Sequence, residues 1–439
     1  MLKFASLATI GNSLEWYDFT VYSFFTPVIA SLFFPTDNQM TALLLAFATY
    51  GVGFIIRPLG GLLLGSYADR YGRKSTLMLT VSLMFVATAA IACAPSYSQA
   101  GIMAPVILIC ARLVQGFAVG GETGPATAFL LEIAPVSKRG FYTSLQPAST
   151  ALAIIVGSLF GFVLTFYLDQ AELNAWGWRL PFFFGLILGP IGLYMRHRLI
   201  ESPDFSQIHA GLSAVPLRDV VRQRSRELSI GFAATILWTV TSYVLLFYMP
   251  TYAKMQLGIA SSDAFLASMI GGVILFVLNP LFGVFSDKWG SRILMLIGSL
   301  TIGFMIYPAM DWLSLDPTPA RLIVVQSLLA VAVSIFTGVA PRFLAELFPL
   351  PLRATGISVA YNMAVTIFGG FAALIVTWLI AFTGNKLAPA FYVIFAALVS
   401  FAAISRAAPP EALEDNRIAS AKTERSEQAG GASPAGAVP

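Results

Sequence analysis

The first candidates for chemistry are five ionisable side chains in the first half of this chain that stand well inside long apolar stretches. Glu15 and Asp18 interrupt the first stretch, Arg57 the second, and Arg112 and Glu122 the fourth. A charged group in hydrocarbon is costly, so each of these needs a partner, a wet cavity or a function. Residues three or four apart share one face of a helix, which places Glu15 and Asp18 on the same side of the first stretch.

That face also carries Asn12 and Tyr22, so the polar stripe must point into a bundle of helices. If the second stretch runs antiparallel to the first, Arg57 lies at a similar depth, and an ion pair between Arg57 and one of the two carboxylates is geometrically allowed. Two interpretations stay open for these groups: a fixed network that locks helices together, or a role in coupling and gating.

Arg112 indicates an anionic ligand. Arginine does not lose its charge by deprotonation, so at membrane depth Arg112 must be matched by a carboxylate of the protein or of a substrate. Gln115 follows Arg112 after three residues and Glu122 follows Gln115 after seven, so both share its helical face. The predicted substrate-binding residues of the first half are Arg112, Arg57, Asn12, Tyr22 and Gln115.

If the chain moves protons across a membrane, carboxylates must carry them. The two histidines, His197 and His209, both lie outside the apolar stretches. Glu15 and Asp18 are therefore the first candidates for proton coupling, followed by Glu122. Burial favours the neutral form of a carboxyl group, whereas a nearby arginine favours the charged form. A substrate anion and a carboxylate that compete for one arginine would link substrate entry to proton uptake.

The second half offers hydrogen-bonding and aromatic side chains in place of charge. Tyr243, Tyr361 and Asn362 are predicted to orient a small polar ligand, although each could equally serve helix packing. Cys93 and Cys110 fall inside apolar stretches and indicate neither a disulfide nor a metal site. No metal and no cofactor is expected.

The composition indicates the elements that must position these groups. Of 439 residues, 57% are hydrophobic and 11% are charged, against roughly 45–50% and about 25% in soluble domains. The apolar stretches approach the ~20 residues with which a helix crosses ~30 Å of hydrocarbon. Because lipid cannot satisfy backbone polar groups, we predict an all-α integral membrane protein.

We predict twelve transmembrane helices in two pseudo-repeats, with both termini in the cytoplasm. Lys and Arg concentrate in alternate connections, which the positive-inside rule places inside. The predicted spans are 5–33, 42–67, 76–94, 102–131, 141–167, 178–195, 228–252, 264–286, 293–312, 322–347, 355–382 and 388–405. The predicted units are a six-helix bundle over 1–195, a cytoplasmic central loop over 196–227, a second six-helix bundle over 228–405 and a disordered cytoplasmic tail over 406–439.

A charged motif occurs twice and relates the two halves. Gly65-x3-Asp69-Arg70-x-Gly72-Arg73 returns as Gly283-x3-Asp287-Lys288-x-Gly290, and each copy is followed by Glu-x2-Pro-x3-Arg. Together with the apolar composition, the repeat indicates an integral membrane protein built from two parallel halves. The predicted gating residues are Asp69, Arg70, Arg73, Glu132, Arg139, Asp287, Lys288, Glu346 and Arg353. Arg342 and Glu346, four residues apart, are expected to form a plain intrahelical pair. Glycines between Gly116 and Gly124 are expected to loosen the fourth helix.

The doubled motif, in its first copy, resembles that of the major facilitator superfamily. A closer similarity, to its metabolite:proton symporter family, lies in Gly11–Phe19 (GNSLEWYDF), Arg57–Gly61 (RPLGG) and Arg112–Phe117 (RLVQGF). It covers roughly residues 8–405 and implies a secondary transporter of the bacterial cytoplasmic membrane that works by alternating access. Glu132–Tyr142 and Tyr361–Thr383 resemble the branch that carries organic acids such as citrate and 2-oxoglutarate. After Glu122 the chain departs from the family pattern with Thr-Gly-Pro.

The expected function is proton-coupled symport of a small organic acid. A zwitterionic osmolyte such as betaine or proline is the main alternative, but buried Arg57 and Arg112, with no obvious aromatic cluster to cage a quaternary ammonium, favour the anion. A non-transporting membrane sensor of the same fold is a further alternative. An intramembrane enzyme would need a nucleophile with its base, a metal cluster or a cofactor motif, and a channel would need rings of carbonyls or charges. The sequence of the spans offers neither set of features, so neither an enzyme nor a channel is expected. The basic balance is a topology signal, so no nucleic-acid partner is expected, and the protein is predicted to be a monomer.

Overall fold

The regular structure is helical throughout the described part of the chain. The computed structural model describes residues 2–71, 73–197, 222 and 224–407. The α-helices of the first half are α1 (Leu2–Phe24), α2 (Thr26–Phe33), α3 (Gln39–Ile55), α4 (Arg57–Tyr71), α5 (Arg73–Ala92), α6 (Tyr97–Ala100), α7 (Met103–Val119), α8 (Thr123–Ile133), α9 (Arg139–Tyr167), α10 (Gln170–Ala175) and α11 (Leu180–His197). Those of the second half are α12 (Ser225–Thr241), α13 (Met249–Leu257), α14 (Ser261–Trp289), α15 (Ser291–Leu315), α16 (Pro319–Thr337), α17 (Ala340–Leu347), α18 (Arg353–Ala364), α19 (Ala372–Thr383) and α20 (Ala388–Ser405).

Within these ranges, nine helical stretches are long and apolar enough to cross a membrane. They are Gln39–Leu64, Met103–Ile133, Val136–Tyr167, Ser225–Phe247, Ser261–Trp289, Ser291–Leu315, Pro319–Leu347, Arg353–Thr383 and Ala388–Ser405. They coincide with the second, fourth, fifth and seventh to twelfth predicted spans. The first, third and sixth predicted spans coincide with α1 and α2, α5 and α11. An all-helical fold with multiple apolar spans is confirmed, while the count of twelve stays a prediction. The central loop and the tail lie mostly outside the described residues.

The bundle is apolar on its outside and carries charge inside. Phe304 and Phe382 are 76% and 75% exposed, whereas Arg57 and Arg112 are 0% exposed. Soluble proteins rarely bury arginine, and their exposed apolar side chains rarely form large continuous patches. Extended apolar surface of this kind requires lipid as its solvent.

Two of the membrane spans are interrupted, one next to a proline and one at a pair of glycines. The second span breaks at Ile56 between α3 and α4. Pro58 has no N–H, so the Phe54 carbonyl loses its helical partner. The fourth span breaks between α7 and α8 at Gly120, Gly121 and Glu122, where the glycines were expected to loosen it. Two π-helical segments, Ser242–Phe247 and Val365–Gly370, were not predicted.

The second and fourth spans approach each other unusually closely. A methyl group at Gly116 would collide with the Gly53 carbonyl, and one at Gly120 with the Arg57 carbonyl. Glycine is therefore required at both positions, since only a hydrogen atom fits between the two backbones. This contact holds Arg57 and Arg112 on adjacent, tightly packed helices.

The eleventh span hydrogen-bonds across to the first half at both of these breaks. The Thr366 hydroxyl donates to the Phe54 carbonyl at 2.9 Å, which replaces the donor that Pro58 lacks. The Asn362 side-chain amide donates to the Gly120 carbonyl at 3.0 Å. The broken helices therefore carry backbone acceptors that the other half of the chain satisfies.

Candidate functional site

Two buried guanidinium groups lie on aromatic rings near the middle of the bundle. The Arg112 guanidinium carbon is 3.6 Å from the centre of the Tyr22 ring, and that of Arg57 is 4.1 Å from the Phe54 ring. Both also lie near Phe19, at 5.6 and 4.8 Å respectively. Cation–π attraction partly offsets the burial of these charges, but it satisfies none of their N–H donors.

Those donors have no hydrogen-bond partner among the described residues. This holds for all three nitrogens of Arg57 and of Arg112, and also for the buried hydroxyls of Tyr22, Tyr50 and Tyr243. Buried polar groups are normally hydrogen-bonded, and a cluster of exceptions needs a reason. A ligand rich in acceptor oxygens would supply one. We call Arg57, Arg112, Tyr22, Tyr50 and Tyr243 the arginine cluster.

The sequence allowed an ion pair between Arg57 and either Glu15 or Asp18, because they lie at similar depth. The structure does not form it. Asp18 has a different partner, because its Oδ2 accepts a hydrogen bond from the Thr88 hydroxyl at 2.5 Å. Arg57 is turned onto Phe54 and Phe19 instead. Both arginines thus keep their positive charge available to a ligand.

The expectation that no aromatic cluster is present was wrong. Trp16 and Phe19 of α1, Tyr50 and Phe54 of α3, and Tyr243 and Phe247 of the π-helical segment form a continuous group of rings. Neighbouring ring centres in it are 5.3 to 6.3 Å apart. The cluster could not be recognised in the sequence because its members come from three distant segments. Its edge holds the guanidinium groups.

The three predicted proton-coupling residues line one cavity inside the first half. Glu15, Asp18 and Glu122 share it with Thr88 and with Gly185 of α11. Asp18 is bonded to Thr88, and Glu122 Oε1 accepts from the Thr80 hydroxyl at 2.9 Å. The spacing argument therefore identified carboxylates that the fold brings together.

The remaining predicted substrate residues divide between two environments. Gln115 donates through Nε2 to the Thr88 hydroxyl oxygen at 3.0 Å, so it lies on the carboxylate side. Asn12 donates to the Ser149 hydroxyl at 2.8 Å and, with Tyr243 and Tyr361, lines a separate cavity between the halves. Asn362 is the residue bonded to the Gly120 carbonyl. Trp16 and Tyr243, with ring centres 6.1 Å apart, both line this cavity, and Tyr243 also belongs to the arginine cluster.

At one end of the bundle, Asp287 joins the two halves. Its carboxylate accepts the backbone N–H groups of Gly140 and Phe141 at 2.7 and 3.3 Å, at the N-terminus of α9. Arg342 contacts Asp287 at 2.8 Å and Glu346 at 2.7 Å. The predicted intrahelical pair therefore exists but forms part of a larger network. We call Asp287, Arg342 and Glu346 with the start of α9 the Asp287 cluster.

Other predicted gating residues have mixed outcomes. Arg353 lies 3.5 Å from Glu132 in the opposite half. Arg139 is half-buried, and its Nε has no hydrogen-bond partner within the described ranges. Lys288 is exposed. The side chains of Asp69, Arg70 and Arg73 lie outside the described part of the chain, so their gating role stays a prediction.

The sequence model of one family, described as "Sugar (and other) transporter", matches residues 4–214 and 211–407. The two matches cover both halves of the chain. The chain belongs to the major facilitator superfamily. Its fold agrees: a D-xylose-proton symporter crystal structure superposes with a TM-score of 0.73 at 20% identity, covering 91% of this chain and 97% of that one. A partially occluded, inward-open structure of a xylose transporter from E. coli gives the same TM-score at 19% identity, covering 90% and 95%.

Similar proteins within the superfamily confirm the resemblance to metabolite:proton symporters. A citrate-proton symporter of Salmonella typhi is 35% identical over 395 residues, which are 90% of this chain and 91% of that one. The citrate-proton symporter of Klebsiella pneumoniae is 33% identical and covers 89% and 88%. A glycine betaine/proline/ectoine/pipecolic acid transporter of Dickeya dadantii is 35% identical and covers 90% and 81%.

In this major facilitator, Asp287→Asn is expected to weaken the contact that Asp287 makes between the two halves at one end of the bundle. The substitution keeps the shape but removes the charge that interacts with Arg342 and with the positive end of α9. We expect the ratio of open to closed molecules at this end to rise about tenfold, corresponding to ~1.4 kcal/mol. Spin labels at exposed Val136 and Trp289, in a variant without Cys93 and Cys110, would measure the distance between the two halves at this end.

Asp316→Asn is the matched control, because Asp316 is 62% exposed and contacts Arg321 at the surface, where such pairs contribute little. A distance distribution in Asp287→Asn that equals the wild-type distribution would remove Asp287 from gating.

Proposed function

We propose that this protein is a secondary active transporter that carries a small organic acid together with protons by alternating access. The substrate class is a di- or tricarboxylate such as citrate or 2-oxoglutarate. One observation carries the proposal: two fully buried guanidinium groups, with three tyrosine hydroxyls beside them, lack hydrogen-bond partners among the described residues. Carboxylates match the planar fork of arginine and can accept from several donors at once.

The proposed architecture has twelve transmembrane helices in two six-helix bundles, over 1–195 and 228–405, with a cytoplasmic loop over 196–227. Both termini, including a tail over 406–439, are proposed to lie in the cytoplasm, and the protein to act as a monomer in the bacterial inner membrane. The positive-inside pattern and the bacterial relatives support this arrangement. On this orientation the Asp287 cluster closes the cytoplasmic end.

The proposed mechanism divides the work between two neighbouring sites. Arg112 and Arg57, with the tyrosine hydroxyls, bind the substrate carboxylates. Asp18 or Glu15, with Glu122 in the same cavity, takes up the proton. Arg112 links them, because it lies on the same helix as Gln115, which hydrogen-bonds to the Asp18 partner Thr88. The cytoplasmic contacts of Asp287 and of Glu132 with Arg353 must break before substrate leaves on that side.

A zwitterionic osmolyte is the second candidate, and the aromatic cluster is the observation that favours it. A group of rings can hold a quaternary ammonium through cation–π contacts, and the Dickeya relative is named for such substrates. In this protein, however, the rings already face two permanent cations, which repel an ammonium group and attract only the carboxylate. That balance favours the organic anion.

Uptake into proteoliposomes separates the candidates. Labelled citrate, 2-oxoglutarate and betaine are offered in parallel, with the external medium more acidic than the lumen. We expect one or both acids to accumulate, and the accumulation to collapse when a protonophore dissipates the gradient. Accumulation of betaine alone would refute the organic-acid assignment. Binding of an acid, seen as thermal stabilisation, without uptake of any of the three would favour a sensor.

A further inference from the structure

We propose that Thr88 and Gln115 are positioning residues that report the protonation state of Asp18 to the helix that carries Arg112. The inference rests on the proposed proton coupling and deepens it. Gln115 was expected to bind substrate, and Thr88 had no predicted role. The structure places Thr88 in the lining of the carboxylate cavity, bonded to Asp18, and Gln115 is bonded to Thr88.

The three side chains form a buried chain of hydrogen bonds. Gln115 Nε2 donates to Thr88 Oγ1 at 3.0 Å, and Thr88 Oγ1 donates to Asp18 Oδ2 at 2.5 Å. Asp18 is 7% exposed, Thr88 2% and Gln115 0%. Hydrogen bonds between buried groups are strong, and an unpaired polar group in such surroundings is costly.

The direction of these bonds follows from the number of protons. A hydroxyl has one proton to donate. Because the Gln115 amide donates into the Thr88 oxygen, the Thr88 proton points to Asp18 Oδ2, which must accept it. This arrangement suits a charged Asp18. It leaves Gln115 Oε1 buried and without a hydrogen-bond partner among the described residues.

Protonation of Asp18 Oδ2 reverses the chain. The carboxyl group then becomes the donor, and the Thr88 oxygen accepts from it. The Thr88 proton turns towards Gln115, and a half-turn of the amide brings Oε1 to receive it. No covalent bond changes, and the proton stays on Asp18. Gln115 lies three residues from Arg112, so this rearrangement takes place within one helical turn of the substrate cation.

Besides the direct attraction of Arg112, the charge of Asp18 is reported through the hydrogen bond at Oδ2. The titratable or charged groups near it are Glu15 and Tyr17 on its own helix, and Arg112 and Glu122 on the fourth span. The packed helices α5 and α11 contribute Thr88 and Gly185. A methyl group on Gly185 would lie 2.8 Å from Asp18 Oδ1. Oδ1 is thus closely covered by backbone, while Oδ2 has the hydrogen-bond partner.

Thr88→Val tests the relay, because it keeps the side-chain shape and removes the hydroxyl. A hydrogen bond donated to a carboxylate favours its charged form, so the variant should hold the proton too tightly. We expect proton-driven accumulation of the acid to fall about tenfold and its pH profile to move up by about one pH unit. Substrate exchange without a gradient should stay within about twofold of wild type. Thr88→Ser should restore accumulation and profile.

Gln115→Met should reproduce the shifted profile, because it removes the amide at the far end of the chain. Thr235→Val is the matched control: Thr235 is equally buried, and its hydroxyl bonds to its own helix at Gly231. A second readout needs no substrate. The temperature of thermal unfolding in detergent is measured from about pH 5 to 8. In Thr88→Val, the pH dependence of this temperature should move to higher pH, as the transport profile does.

Clear outcomes would overturn the relay. Wild-type accumulation and pH profile in Thr88→Val would do so, as would failure of Thr88→Ser to restore them. Loss of exchange in both Thr88→Val and Gln115→Met would assign the pair to packing or to substrate binding. If the wild-type protein carries no acid, the proposed function fails, yet the pH dependence of unfolding still decides whether the relay exists.

Discussion

Replacing Arg112 by alanine is expected to abolish uptake of the organic acid, with a loss of at least about a hundredfold. Arg112 is fully buried, and none of its nitrogens hydrogen-bonds to another described residue. Its retention in the bundle therefore needs a reason other than packing, and a substrate carboxylate supplies one. Arg112→Lys should bind substrate weakly, since an ammonium cannot form the two parallel hydrogen bonds of a guanidinium.

A stability measurement distinguishes this role from a structural one. A buried cation without hydrogen-bond partners opposes folding. Arg112→Met, which keeps most of the length and loses the charge, should therefore unfold at a temperature no lower than wild type while carrying no acid. Arg321→Ala is the control, because Arg321 also packs on a ring, that of Trp312 at 4.9 Å, but lies partly exposed. Full pH-driven transport in Arg112→Ala would remove this residue from the mechanism.

The candidate charges were visible in the sequence because ionisable groups in apolar stretches are conspicuous. Arg57, Arg112 and the three carboxylates all proved to be deep in the bundle or to line its cavities. Depth along a helix was also predictable, since the rise per residue is fixed. Depth alone did not show which side chains contact each other. Arg57 contacts the rings of Phe54 and Phe19, although an ion pair with a carboxylate was possible at that depth.

The aromatic cluster could not be read from the sequence, for a physical reason. In a chain that is 57% hydrophobic, an aromatic residue at a helix interface looks like one that faces lipid. Trp16, Tyr50 and Tyr243 meet only when three spans are packed. Thr88 was equally inconspicuous, because a hydroxyl inside a span usually bonds to its own helix. The π-helical turn that places Tyr243 has no simple sequence signature.

The Asp287 cluster shows what a repeated motif does and does not predict. Its recurrence marked Asp287 as a gating candidate, and the i, i+4 spacing predicted the contact of Arg342 with Glu346. The decisive contact, from Asp287 to the backbone of Gly140, crosses between the halves. Backbone donors at a helix start carry no residue signature, so that contact required the fold.

Asp18→Asn is expected to leave substrate exchange intact and to lose proton-driven accumulation about tenfold or more. Asparagine has nearly the same shape and can still accept the Thr88 hydrogen bond through its carbonyl oxygen. It cannot bind and release a proton, so the pH gradient no longer drives transport. The measurement compares counterflow without a gradient and uptake with one, for Asp18→Asn and Glu15→Gln. Asp169→Asn, at an exposed helix start, is the control.

The two variants also decide between the carboxylates of the shared cavity. Loss of accumulation in Asp18→Asn alone would assign the proton to Asp18, and loss in Glu15→Gln alone to Glu15. Unchanged accumulation in both would move the site to Glu122 or to a different coupling ion. If Asp18 carries the proton and the Thr88 relay reports its protonation state, adding Thr88→Val to Asp18→Asn should cause no further loss. Full additivity of the two effects would mean that they act independently.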